Sequence, residues 1–293
     1  AGQMNSPFFP PIGAGARIPP TIQDAFTDYR PDGEKNMVKP HTIIAVLLFL
    51  PGVLNAAADL PPGNCAAPQA ATDLSKCDFS RRKMSGRDLR GARLAGAKLE
   101  STDFSRANLS GADLRGSNAK WANFAAANLA GADLRDADLF HATFDEGDLS
   151  GANLVGANLF GSNLINTRAP RADFSGAYLK DVLMEGIDLS GGSIRNCYAF
   201  RGVFSGARLI GADLSGADLT GAAMEQADFT NAKLKETRLK GATLRHAIFF
   251  KADMQGADLA NADVWNASFD KAVNVTGSVQ EALVEPFVAR DRR

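Results

Sequence analysis

Carboxylates are the commonest side chains here that could do chemistry, and their spacing is regular. Asp113, Asp133 and Asp173 recur at multiples of twenty residues, with Asn153 filling the gap. A calcium site or a catalytic pair needs such groups to converge on one point. A fixed interval instead sets them in a line, one per structural repeat, where each is expected to hydrogen-bond its own corner of the backbone. The three histidines, His41, His141 and His246, are scattered, and Cys65, Cys77 and Cys197 lack metal-ligand spacing. Neither a nucleophile–histidine–acid set nor a phosphate-binding loop can be assembled. The expectation is a protein that is not an enzyme and holds neither cofactor nor metal.

The elements that must position these groups follow from one pattern. From Leu74 to Phe269 a large apolar residue falls at every fifth position, giving forty units without insertion or deletion, and only Ala119, Ala169 and Ala199 lack the large side chain. Ala112-Asp113-Leu114-Arg115-Gly116 and Ala212-Asp213-Leu214-Ser215-Gly216 show the unit. A fixed repeat takes precedence over any other pattern. A period of five suits neither an amphipathic helix nor a simple strand. It suits a four-sided coil with one unit per side. The apolar residue and the small residue two places before it point inward. The Gly two places after it suits the third position of a type II turn, where φ is positive. Four units of five close one coil of twenty residues, and forty units make ten coils.

This pattern resembles the pentapeptide-repeat family. The resemblance covers residues 73–272 and implies an all-β fold, a right-handed quadrilateral β-helix. A short helical cap is expected within 273–293, where Ser278-Val279-Gln280-Glu281 fits a capping box and Val279, Leu283 and Val284 could cover the open end. The family motif names a fold and no task.

The chain of 293 residues carries a formal net charge of −1, which gives no polybasic nucleic-acid footprint and no strongly acidic surface. Residues 1–36 are rich in Pro and Gly, without periodicity, and are read as a flexible extension with a candidate short motif at Phe8 and Phe9. Residues 37–58 have the layout of a secretory signal peptide: Lys39 and His41 near its start, an apolar run from Thr42 to Leu54, then Ala56-Ala57-Ala58. Cleavage after Ala58 with Met37 as the true start, an uncleaved anchor, and a buried capping helix all remain open. Cleavage is favoured; no stable membrane insertion is then expected, and the protein is expected to be exported, to a periplasm or lumen. Residues 59–72 lead into the first coil. In an exported protein Cys65 and Cys77 are expected to form a disulfide across that junction; the alternative is two free thiols. Cys197 falls at a small inward position.

One side of the rod carries outward residues that do not belong on a solvated face. Phe140, Phe160 and Phe200 follow the inward residue in three coils, Tyr178 and Tyr198 precede it in two, and Lys180 sits among them. Steps of twenty place all six on one side, with Trp121 near the corner. A contiguous apolar patch marks an interface more often than scattered residues do. The expectation is a non-catalytic exported scaffold that binds a protein partner, or a second copy of itself, through these residues. Two alternatives stand beside it. The rings could pack only on one another or under the N-terminal segment. The protein could instead be a cytoplasmic DNA mimic that binds and inhibits a type II topoisomerase, as the resemblance allows. Nucleic acid itself is not expected as a partner.

Overall fold

The computed structural model describes residues 60–275. The chain divides into two units, Ala1–Ala58 and Asp59–Arg293, and every described residue lies in the second. The expected signal peptide, the Phe8–Phe9 motif and the capping helix lie outside the described residues.

The backbone is a coil of twenty residues per turn. Parallel bridges link Asp73 to Arg93, Asp78 to Lys98, Lys83 to Asp103 and Asp88 to Asn108, and each of these four columns continues upward in steps of twenty, ending with Asp253 to Val273. Each contact is a single bridge rather than a continuous strand, because the chain turns a corner every five residues. The lead-in docks differently: Pro62 bridges Asp73, eleven residues on.

The repeat is explained by what happens to the five backbone N–H groups of one unit. In the unit 108–112, Asn108 donates down to the Arg87 carbonyl (2.8 Å), Leu109 donates up to Asn128 (2.7 Å) and Gly111 up to Ala130 (2.9 Å), while Ala112 closes the turn on Leu109 (3.0 Å). The fifth, Ser110 N–H, has no backbone acceptor and donates to the Asn108 side chain at 3.2 Å. A buried or half-buried N–H left unpaired is costly, so Asp or Asn is favoured at the place before the apolar residue. From Arg81 to Lys271 the residue two places after it has positive φ, 64° at Gly111 and 58° at Trp121.

Inside, the coil is solid. Leu114, Leu134 and Leu154 are fully buried one above another, as are the small residues Ala112, Ala132 and Ala152. Phe104, Phe124 and Phe144 stack with centroids 5.3 and 4.9 Å apart, and Phe229, Phe249 and Phe269 stack at 4.6 Å. Hydroxyls in the small inward places turn back to a carbonyl of the coil below: Thr102 to Phe79, Ser162 to Leu139, Thr167 to Phe144 and Thr237 to Leu214. Ser117 Oγ has no partner; the Leu94 carbonyl, twenty-three residues before it, is the equivalent acceptor. The first coil departs from the small-residue rule. Arg82 and Arg87 stand where Ala is usual, and Arg82 reaches the Cys65 carbonyl at 2.6 Å. Beside it, Cys65 and Cys77 form a disulfide that ties the lead-in to this coil, with Cα atoms 5.4 Å apart.

Candidate functional site: an aromatic strip on one side of the coil

Carboxylates do not build a site. Asp113 accepts the Arg115 amide at 3.2 Å and both ends of the Arg115 guanidinium at 2.8 and 2.7 Å; Asp133 does the same with Arg135. The Arg115 guanidinium beside Asp113 holds its carboxyl below the usual carboxylate range. At Asp148 burial pushes the carboxyl up, but the Ser150 hydroxyl and amide, with Arg168, outweigh it and the net direction is down. Arg115, Arg135, Arg195 and Lys235 share one column without forming a free cationic stripe: each guanidinium pairs with an Asp, Arg195 with Asp213 at 3.5 Å, and Lys235 lies 3.9 Å from Glu236. Among the described residues no cluster of His, Cys, Asp and Glu could hold a metal.

The aromatic side is different. Phe140, Phe160, Tyr178, Tyr198 and Phe200 form one run of near-parallel rings, with successive centroids 5.3, 6.1, 5.4 and 6.2 Å apart. Trp121 meets the edge of Phe140 at 5.4 Å and stacks on His141 at 4.4 Å, and His141 touches both Phe140 and Phe160 edge-on. The Lys180 ammonium lies 5.6 Å from the Phe160 centroid. The structure therefore brings all six residues picked from the sequence onto one strip, and adds His141. Steps of twenty from Trp121 give His141, so the signal was present in the corner column.

The strip remains open to solvent. Tyr178 and Tyr198 are 41% and 39% exposed and Trp121 is 53% exposed, while the Phe rings are half-buried. Mutual stacking therefore does not bury the strip, although it does hold the rings in place.

Like Lys83, Arg168 and Lys233 elsewhere, the two tyrosines depart from the rule seen at Asn108. They occupy the place of the Asp or Asn that accepts the next N–H but one. Phe140 and Phe160 amides still donate to Asp138 and Asn158, at 3.4 and 3.3 Å. Among the described residues no acceptor takes the Lys180 and Phe200 amides, which follow Tyr178 and Tyr198. On the adjoining side Leu183, Val203 and Ala223 make the same substitution in three successive coils, with Leu183 38% exposed. Places where a local rule is given up for an exposed apolar group are where function concentrates.

The family model for pentapeptide repeats matches in eight copies, over residues 84–118, 120–156, 152–191, 203–235 and 227–266. Among solved structures, the chain is 29% identical to HetL, a pentapeptide repeat protein involved in heterocyst differentiation regulation in the cyanobacterium Nostoc sp. strain PCC 7120, covering 70% of this chain and 90% of that one with a TM-score of 0.45. It is 23% identical to QnrB1, a plasmid-mediated fluoroquinolone resistance protein, over 68% of this chain and 93% of that one, TM-score 0.31. It is 33% identical to a pentapeptide repeat protein of the Arabidopsis thaliana thylakoid lumen, over 36% of this chain and 69% of that one, TM-score 0.22. No curated protein matches the chain.

Proposed function

The chain belongs to the pentapeptide-repeat family, and from that premise we propose that it is a non-catalytic, exported interaction rod whose aromatic side binds a protein partner. The observation that carries this reading is the strip itself: seven stackable side chains on one side, held in register by the coil, three of them exposed and four half-buried. Aromatic residues dominate binding hot spots because they present a large rigid area at low entropic cost. A solid core with no convergent ionisable groups supports a binding role over a catalytic one. In this reading ten coils form the rod, residues 37–58 direct export and are removed, and residues 273–293 cap the open end. The Cys65–Cys77 disulfide supports export, since such bonds persist in oxidising compartments.

The DNA-mimic reading is the weaker one. It needs rows of unpaired carboxylates, whereas the Asp columns here are interleaved with Arg and Lys, as at Arg168–Asp148, Arg238–Asp218 and Arg245–Asp263.

The test is the double substitution Phe160→Lys with Tyr198→Lys. Neither ring fills the core, so the melting temperature should stay nearly constant. Co-purification with the native partner should be abolished, or a dimer should become a monomer by light scattering. A double variant that keeps every partner and its original mass in solution would refute this side as the binding face.

A further inference from the structure

The chemistry of the strip narrows what it can bind, provided that it is the binding face proposed above. Two features decide it: how the rings are turned, and which hydrogen-bonding groups lie among them.

Tyr198 and Phe200 lie near-parallel within one coil, at an interplanar angle of 10°. Phe140 and Phe160, Phe160 and Tyr178, and Tyr178 and Tyr198 stack face to face from coil to coil, at 6°, 14° and 19°; these faces are used on one another, so the rings present edges outward. A sugar or a nucleic-acid base needs an open aromatic face on which to lie, and the middle of this strip offers none. Ring edges carry positive charge and suit carbonyl oxygens and aliphatic C–H groups.

The polar groups are rich in donors, with His141 and the tyrosine hydroxyls able to accept as well. Trp121 offers an indole N–H, Lys180 an ammonium, and Tyr178 and Tyr198 hydroxyls. The backbone N–H groups of Lys180 and Phe200 add two more, without an acceptor among the described residues because Tyr replaces the corner Asp or Asn. The carboxylates at the margins are already engaged: Asp138 with Lys120 at 3.1 Å, Asp181 with Arg201 at 3.4 Å and Asp218 with Arg238 at 3.5 Å. The strip is thus apolar and donor-rich, and its complement is an apolar ligand rich in acceptors. A helix spends its carbonyls internally. An extended strand brings an N–H for every carbonyl. A second copy of this strip would set donors against donors. A proline-rich chain in the polyproline II conformation has free carbonyls, few N–H groups and apolar rings.

The spacing agrees. Polyproline II repeats its face every three residues, about 9.3 Å, and two coils of the rod rise about 9.6 Å. Phe160 and Phe200 stand two coils apart in one column, with the flexible Lys180 side chain between them in that column and Tyr178 and Tyr198 alongside. We propose that the strip is a docking surface for a proline-rich, extended segment of a partner protein. The segment runs along the rod axis with successive prolines set two coils apart, and its carbonyls accept from Tyr178, Tyr198, Lys180 and the freed backbone amides.

The chain has two tryptophans, Trp121 and Trp265. Trp265 is 63% exposed and away from the strip, so Trp265→Phe leaves Trp121 as a sole reporter. The probe is a peptide of about nine residues with proline at every third place, long enough at about 3.1 Å per residue to span the strip. Controls are a Gly/Ser peptide of equal length and an amphipathic helical peptide. The expected result is a saturable change in Trp121 fluorescence with the proline peptide alone, lost when Phe160→Lys and Tyr198→Lys are added. Saturation by the helical peptide, or equally by the Gly/Ser peptide, overturns the proposal. Failure of the proline peptide also overturns it; if Phe160→Lys with Tyr198→Lys then still breaks partner capture or self-association, the face stands and only its ligand class was wrong. If that variant changes nothing either, both readings fall.

Discussion

At the scale of single residues, the informative unit is the side chain before each inward Leu or Phe. Where it is Asp or Asn it takes the one N–H that the coil cannot satisfy, and where Arg follows it becomes the acceptor of a two-pronged ion pair, as at Asp113–Arg115 and Asp133–Arg135. The carboxyls of Asp113 and Asp133 are both held below their ordinary range: at Asp113 by Arg115 first of all, and at Asp133 because Arg135 outweighs the opposing effect of burial. A carboxyl whose folded pKa is lowered adds stability that is present above its unfolded pKa, near 3.9, and is lost as pH falls through the folded value. Thermal stability should therefore decline as the pH drops below about 4. Asp113→Asn with Asp133→Asn keeps an acceptor for the corner amide while removing the charge. Melting curves of that variant should fall less steeply over the same acid range, and an unchanged slope would show that these pairs do not contribute.

At the scale of the repeating unit, most of the structure was legible because a period of five admits one inward register. The inward Leu and Phe, the small residue beside them and the positive-φ corner all stand where the spacing put them. Other features were not legible, since they depend on contacts between coils. The back-bonding of Thr102 and Ser162 was one, and the pairing of Arg115, Arg135 and Arg195 with Asp neighbours was another. His141 is scattered with respect to the columns flanking the core, whereas the corner column carries it onto Trp121. The corner also separates backbone strain from packing. A Cβ at Gly111 would meet nothing within 4 Å, although φ is 64°; at Ala126 φ is 54° with a Cβ present. Left-handed backbone costs a residue with a Cβ about 1 kcal/mol or more. Gly111→Ala should destabilise by about 1 kcal/mol and Ala126→Gly should stabilise by a similar or smaller amount. Urea melts of both variants check this, and equal stabilities would mean that the corner geometry is not strained.

At the scale of the whole molecule, a solenoid is held by contacts between neighbouring coils, so its ends are its weak points. The described N-terminal end is closed by the Pro62–Asp73 bridge, by Arg82 on the Cys65 carbonyl and by the Cys65–Cys77 disulfide. Replacing both cysteines by Ser should lower stability by about 2–3 kcal/mol, as expected for closing a short loop, with the loss confined to the first coil in hydrogen exchange. Thiol labelling of the unreduced protein from its native compartment should find Cys197 alone, and only after unfolding, since burial pushes its thiol up to about 12. Three reactive thiols would remove this support for export.

The central claim is that a protein partner contacts the aromatic side and not the rest of the rod. Placing a photo-crosslinking amino acid at position 198, and separately at position 208 on the opposite side, tests it directly in the native host. Both positions are exposed and neither side chain fills the core. The expected result is a discrete protein adduct from position 198 that is absent from position 208. Equal adducts from both positions, or none from position 198, would contradict the account.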